Sequence, residues 1–581
     1  MKRFTVVFLT LVMMALLPVE MQAGSEKILK IDFKSAITEK GGSGFSLSNF
    51  SLSGMLSGST TLYTMVRAID YAATDPSVSM IYMTPCNVSA DYAQLEEIRA
   101  ALKRFRESGK TIVAYCENLS NATYYLASVA DKVVLNPASE SYMTGLATQQ
   151  IYLKDALDAL GVDVQLIRHG KYKSAGEMYI RNAPSPENIE QNQAMVNSLW
   201  NDICAEIAAS RGFSSDDFKK WIDDLALVDA ASFKELGLVD ELWHKDEVED
   251  FVCEQTGSTL IKFVSFVNFK RYSEKLQKKV FGRQNKKSKE KIAVIYADGE
   301  IVVSSDGTGM SQEMIVGKNL ASTIAKVRRD DKVKAVVFRV NSPGGSVMAS
   351  ELIKREIDLL KAEKPVIASY GGYAASGGYW ISACTDRIFT DRMTLTGSIG
   401  CFSMIPNLGN AIRKIAKVNI VTIGTSPHSD MMTGMRSLDA AETDFMQKQV
   451  EDIYDHFTTI VSTGRGISKD SVDAIGQGRV WTGSDALGIG LVDSIGGLAD
   501  AIACAAQTAG LETYGIAEYP ETVPFSLMSL FAETDDLDET VTSDTDPAVS
   551  MLRRVVPVAQ FMRRKSEPVN MARMPELYLF N

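Results

Sequence analysis

Apolar positions along this chain fall into two rhythms, short unbroken runs and longer stretches with helical spacing. Residues 62–73 predict a helix and the run at 78–83 (VSMIYM) a buried strand. An amphipathic helix follows at 92–107, then a strand at 111–115, a polar turn at 117–121 and a helix running into Ala130-Asp-Lys-Val-Val-Leu135. The same succession returns later: a strand at 333–340 (VKAVVFRV), a helix at 347–362, a strand at 365–370 and a helical run at 379–383. Unbroken apolar strands alternating with helices predict α/β units around largely parallel sheets, whose strands are covered on both faces.

The resemblance between these two stretches extends to residue identities. Asp75-Pro-Ser-Val-Ser-Met-Ile-Tyr82 parallels Asp331-Lys-Val-Lys-Ala-Val-Val-Phe338, and Gly237-Leu-Val-Asp240 parallels Gly490-Leu-Val-Asp493. A third pair is Tyr124-Tyr-Leu-Ala-Ser-Val-Ala-Asp-Lys-Val133 with Tyr379-Trp-Ile-Ser-Ala-Cys-Thr-Asp-Arg-Ile388. The offset stays at about 255 residues. A period that long marks a duplicated domain rather than a solenoid.

Two glycine-rich knots stand out in the second copy, Asn341-Ser-Pro-Gly-Gly-Ser346 and Ala374-Ala-Ser-Gly-Gly-Tyr379. Each joins a strand to a helix start, where free backbone N–H groups can hold an anion such as the oxyanion of acyl transfer. Ser376, at the entrance of the second helix, is placed as a nucleophile. In the first copy Asn121 falls opposite Ser376, and Val88-Ser89 fall opposite Gly344-Gly345. That copy instead carries Gly170-Lys-Tyr-Lys-Ser174 after a strand at 162–167. Its counterpart, after a strand at 418–423, is Ser426-Pro-His-Ser-Asp430, with Ser429 opposite Lys173. One half has the serine and the other the lysine, so a single Ser-Lys site shared across the halves is expected. A lysine serves as base only when burial lowers its pKa towards neutrality. Lys171 and His428 are the rival bases.

Composition narrows the function. The 581 residues are 45% apolar and 23% charged with a formal net charge of −11, which fits a globular protein and argues against nucleic acid as partner. The seven cysteines form neither a disulfide framework nor a metal motif, and no dinucleotide or Walker loop is present, so no cofactor or metal is expected. A basic start and a short apolar run within residues 1–23 read as a secretory leader or an N-terminal anchor. The remaining organisation is read as an N-terminal domain at 24–273, a basic linker at 274–291, a C-terminal domain at 292–515 and an extension at 516–581. The extension holds an acidic stretch at 533–546 and helical spacing at 548–561.

At Arg339-Val-Asn-Ser-Pro-Gly-Gly345, Ala374-Ala-Ser-Gly-Gly-Tyr379, Leu395-Thr-Gly-Ser-Ile-Gly400 and Tyr172-Lys-Ser-Ala175 the sequence resembles the long, duplicated type of the signal peptide peptidase A (protease IV) family, over about residues 60–515. The resemblance implies two tandem Clp-protease/crotonase-like domains, with Ser376 as nucleophile and Lys173 as general base. Gly345 and Gly377 would supply the oxyanion-hole N–H groups and Ser398 would orient the lysine. It further implies a homotetramer at the periplasmic face of the bacterial inner membrane, degrading signal peptide remnants and other apolar peptides. The competing classes are an acyl-CoA-binding crotonase-type enzyme and a catalytically silent scaffold.

Overall fold

Two central sheets repeat one strand order. In the computed structural model, which describes residues 27–33, 36–40, 60–86, 88–304, 314–520 and 570–573, the first sheet runs Glu241–Leu242, Lys132–Leu135, Thr111–Cys116, Val78–Met83, Lys27–Ile31, Ser265–Asn268, all parallel. The second contains the same path, Ser494–Ile495, Arg387–Thr390, Val366–Ala375, Val333–Ser342, Lys291–Asp298, Gly515–Tyr519, again parallel. Two further strands, Leu395–Gly397 and the antiparallel Val480–Thr482, extend it. The repeat in the sequence is therefore a repeat of the fold.

Burial on both faces explains the unbroken apolar runs. Along Lys291–Asp298, Ala293 and Ile295 point into one core with Ile353 and Ile357, while Ile292 and Val294 point into another with Leu498 and Ile502. Leu29 and Ile81 are likewise separated from Ile28 and Met80 in the first half. The helices lie close to expectation, at Tyr92–Glu107 (closed by a capping box between Asp91 and Gln94) and Val347–Lys361. The strand expected at 365–370 continues to Ala375, and the next helix begins earlier, at Gly377–Trp380. The basic stretch at 274–291 is largely helical, burying Leu276 and Phe281 while its lysines stay at the surface.

One expected strand is missing. Residues 418–423 belong to no sheet and lie in an unbroken exposed run from 413 to 429. The counterpart in the first half, Asp163–His169, does form a strand, because it leaves its own half and pairs antiparallel with Cys401–Asn407 of the other. It is the last strand of a third sheet, ordered Met314–Val316, Glu300–Val302, Gly344–Ser346, Asn570–Arg573, Cys401–Asn407, Asp163–His169.

The seam between the halves carries buried charge. Arg339 is fully buried and spends its donors on Glu39 (2.8 and 3.2 Å), Glu97 (2.7 Å), Ser369 Oγ (2.9 Å) and the Tyr370 carbonyl (2.6 Å). Glu97 also accepts the Leu498 N–H at 3.0 Å, and Glu96 accepts from Arg392 and the Met393 N–H. Among the described residues no helix is long and apolar enough to cross a membrane. The residues 1–23 expected to form a leader or an anchor, the acidic stretch at 533–546 and the helical spacing at 548–561 lie outside the described residues.

Candidate active site

Ser376 ends the strand Val366–Ala375 at φ 56°, ψ −113°, a backbone conformation that side-chain-bearing residues rarely adopt. It is held there by its N–H donating to Gly397 O (2.8 Å) and its carbonyl accepting from Trp380 N (2.8 Å). The reversal turns the side chain away from the strand and leaves Gly377 as first residue of the following helix, where its N–H has no intrahelical acceptor.

The first knot lies beside the second. Strand Gly344–Ser346 packs against helix Gly377–Trp380, and a Cβ on Gly378 would stand 2.6 Å from Ser342 O. Gly345 has φ +153°, and a Cβ there would come within 2.0 Å of Ile301 O. Glycine is required at both points by close approach of backbone to backbone. The N–H groups of Gly345 and Gly377 thus belong to two touching elements beside Ser376.

Lys173 comes from the other half. The strand Asp163–His169 carries it along Cys401–Asn407, and a tight turn at Gly170 (φ +107°) then folds it inward. Lys173 N donates to Gly170 O (3.2 Å), Tyr172 N to Gln477 O (2.9 Å), and Arg168 to the Lys173 carbonyl (2.8 Å). Its Nζ lies 2.8 Å from Ser376 Oγ and 3.0 Å from both Ser398 O and Ser398 Oγ. Ser398 takes φ 49° and is anchored by its N–H to Arg479 O at 2.7 Å. Lys173 is completely buried, and that burial pushes its ammonium down to about 7, against a small opposing effect of Cys401. As a neutral amine it has two N–H bonds for Ser398 and one lone pair for the Ser376 hydroxyl.

Four of the five residues singled out in the sequence therefore meet through bonds or adjoining turns at Ser376, and Ser398 completes the set. The rival bases do not. Lys171 is exposed, with its ammonium 4.9 Å from the Tyr172 ring centroid. His428 is half-exposed and bonds Glu442 at 2.9 Å. His428, Asp439 and Glu442 gather closely enough to hold a cation, but Arg436 already bonds both oxygens of Glu442 at 2.7 Å. In the first half Asn121, opposite Ser376, donates to Gly145 O at 2.8 Å. A cavity of about 800 Å³ lies between the halves, lined by Leu119 and Tyr142 of the first and by Tyr373 and Leu395 of the second.

Two features of the site were not read from the sequence. Gly478 (φ +80°) backs Lys173 so closely that a Cβ would stand 2.6 Å from Lys173 Cβ. A lone Gly-Arg-Val context carries no signal of this, since the contact links residues far apart in the chain. The second is the strand Asn570–Arg573, which fills a gap one strand wide: it pairs antiparallel with Gly344–Ser346, setting Ala572 opposite Gly345, and on its other edge with Phe402 and Ser403.

Similarity to known proteins agrees with this geometry. The model of "Peptidase family S49" matches twice, at residues 104–257 and 358–512, once in each half. "Protease 4" of Salmonella typhi is 38% identical over 472 residues, covering 79% of this chain and 74% of its own. "Protease 4" of Haemophilus influenzae is 35% identical over 77% of this chain and 72% of its own length. "Serine protease SPPA, chloroplastic" of Arabidopsis thaliana is 32% identical over 76% of this chain and 64% of its own. Two tandem matches over most of both halves, with relatives of this identity, leave no room for the acyl-CoA or scaffold classes: the chain belongs to peptidase family S49 and is a serine peptidase.

Proposed function

We propose that this protein cleaves peptide bonds with a Ser-Lys dyad assembled from its two halves, Ser376 as nucleophile and Lys173 as general base. The observation that carries the reading is the buried 2.8 Å contact between Lys173 Nζ and Ser376 Oγ, with both remaining lysine hydrogens directed to Ser398. Neutral Lys173 takes the hydroxyl proton as Oγ attacks the scissile carbonyl. The N–H groups of Gly345 and Gly377 receive the oxyanion, and Lys173 returns the proton to the departing amine. Water, deprotonated by the same amine, then releases the acyl group.

The substrate enters as an extended strand in the gap that Asn570–Arg573 fills, antiparallel to Gly344–Ser346, so that main-chain bonds hold it and side pockets select it. We assign it to the apolar remnants of signal peptides, taken up at the membrane on the periplasmic side by an oligomer, in keeping with the family resemblance and the leader-like residues 1–23.

Labelling with a fluorophosphonate followed by peptide mapping tests the nucleophile: the adduct is expected on Ser376, and a folded protein that takes no label overturns the assignment. The base is tested by pH. Because only the neutral amine accepts the proton, kcat/KM is expected to climb roughly tenfold per pH unit below the lysine's pKa and level off above it. The bend belongs near the value of about 7 that burial sets. A profile flat from pH 6 to pH 8 removes Lys173 as base. Occupancy of the gap has its own consequence. A chain ending after residue 569 is expected to show a lower KM for an apolar peptide with little change in kcat, measured beside the full-length protein. An unchanged KM would mean that Asn570–Arg573 does not compete with substrate.

A further inference from the structure

We propose that the cavity between the halves is a second peptide seat, which holds, without cleaving it, an apolar peptide segment that carries a basic residue. The class of ligand rests on the peptidase reading, whereas the seat itself rests on the cavity and its lining.

The cavity is the first half's counterpart of the reactive site. Two stretches line it, within 86–93 and within 117–123, and each follows a parallel strand, Val78–Met83 and Thr111–Cys116. Ligand sites of parallel α/β sheets open at this carboxyl end of the strands. The Ile37 N–H donates to Ser89 O at 3.4 Å, just as Ile301 pairs with Gly345 in the second half. In the second half the other edge of Gly344–Ser346 receives the strand Asn570–Arg573. In the first half Val88, Ser89 and Ala90 border the cavity of about 800 Å³ instead. Room for a peptide is thus built twice and the nucleophile once, since Asn121 stands opposite Ser376 and donates to Gly145 O at 2.8 Å.

The lining chooses the ligand. Leu119, Leu199, Met393 and Leu395 supply apolar wall, and Asp91, Glu117 and Glu140 bring three carboxylates. Among the described residues no lysine, arginine or histidine lines the cavity. Asp91 Oδ1 accepts from the Gln94 N–H at 2.8 Å, and Oδ2 lies against Gly372, where a Cβ would stand 2.4 Å from it. Burial, opposed by the Gln94 N–H, raises this carboxyl to about 6, and a cation arriving beside it would stabilise the charged form. Tyr92, another lining residue, buries a hydroxyl that has no hydrogen-bond partner among the described residues. Such a group calls for a partner, which a bound ligand can supply. The carboxylates are not a metal cage: among the described residues a gathering tight enough for an ion occurs at His428, Asp439 and Glu442 instead. An apolar cavity whose lining charge is all negative selects an organic cation on an apolar body, which in a peptide is a lysine or arginine beside apolar residues. The seat also neighbours the dyad. Tyr373 and Leu395 are paired, each three residues before Ser376 and Ser398 on the same stretch of chain, roughly 10 Å away at about 3.3 Å per residue.

The test is peptide binding by the full-length Ser376→Ala protein, which cannot turn the peptide over. The probe is Lys-Arg-Phe-Thr-Val-Val-Phe-Leu, the sequence of residues 2–9, with a fluorophore at its carboxyl end. Fluorescence anisotropy is expected to show saturable binding, and glutamines in place of the probe's lysine and arginine should raise Kd about tenfold, the usual worth of a charge-assisted contact. Asp91→Asn keeps a helix cap and removes the charge. It should raise Kd for the basic probe by a similar factor and leave Kd for the glutamine probe where it was. Ala122→Trp, which sets a large ring in the cavity, should weaken both probes. A probe with benzoylphenylalanine at its second phenylalanine is expected to cross-link within 86–93 or 117–123, or at Met393. Absence of saturable binding, equal affinity for the two probes, indifference to Asp91→Asn, or cross-links confined to Gly344–Ser346 and its neighbours in the reactive slot each overturns the proposal. Cleavage of an uncharged apolar peptide by the wild type reports the dyad separately, so failure of the seat and failure of the peptidase reading are told apart.

Discussion

Replacing Lys173 with methionine, which keeps the stem and removes the amine, is expected to lower kcat/KM by on the order of 10⁴-fold, with the fold retained. The size follows from the isolation of the site. Lys173 Nζ is the group in contact with Ser376 Oγ, and the other candidate bases are exposed and engaged elsewhere. Without the amine, the Ser376 proton has no acceptor of suitable pKa, and attack must proceed from a neutral hydroxyl. Ser376→Ala should lose about as much, and the double variant little more, because residues acting as one unit are not additive. Lys173→Arg should not rescue, since a guanidinium stays protonated at any accessible pH. Lys171→Ala and His428→Ala, by contrast, should leave kcat/KM near wild type. Steady-state kinetics on a fluorogenic apolar peptide, with circular dichroism as the control for folding, decides it. Retention of most activity by the methionine variant would show that the 2.8 Å contact is not the proton path.

The second large effect is on stability. Arg339→Met is expected to destabilise the protein by about 3–5 kcal/mol, because it strands Glu39 and Glu97 at the seam without their cation. Both carboxylates are almost fully buried, and burial already pushes the Glu97 carboxyl upward even with Arg339 present. In the variant the Glu97 carboxyl would do best by binding a proton, so its folded-state pKa rises further above its unfolded value. Such a raised carboxyl supports the folded state below the unfolded pKa and loses that support as pH climbs. The deficit should therefore be larger at pH 8 than at pH 5. Adding Glu97→Gln should restore part of the loss, a coupling that a double-mutant cycle measures. Thermal unfolding should show a fall in Tm of roughly 3–5 °C, since a chain of this length unfolds with an entropy of about 1 kcal/mol/K. A variant as stable as wild type at pH 8 would mean that the Arg339 cluster does not hold the halves together. Lys173 and Ser376 also meet across the two halves, so a loosened seam is expected to lower activity at temperatures below unfolding.

How much of this could be read beforehand depends on how local each feature is. The α/β class and the duplication were legible because apolar periodicity and repeated residues are properties of neighbours in the chain. The Ser376 turn was legible because a tight reversal from strand to helix demands glycines at fixed positions. Lys173 emerged from comparing the halves, since what one had lost the other had kept. That logic pointed to a shared site without saying whether one chain could close it.

The three-dimensional fold decided the rest. Glu96, Glu97 and Arg99 read as the polar side of an amphipathic helix, yet all three are buried, because the second half and neighbouring helices cover that face. Gly478 carries no mark in the sequence of the lysine it backs. The runs at 162–167 and 418–423 have the same strand-like pattern, and only docking of the halves determines that the first is paired and the second left open. By itself the sequence determined the alternation of strands and helices, its repetition and the candidates for the chemistry, because these follow from periodicity, turn sterics and residue type. Only the tertiary structure decided that Lys173 reaches Ser376 within one chain, in surroundings that push its ammonium down to about 7, because contact and desolvation arise where segments about 200 residues apart pack together.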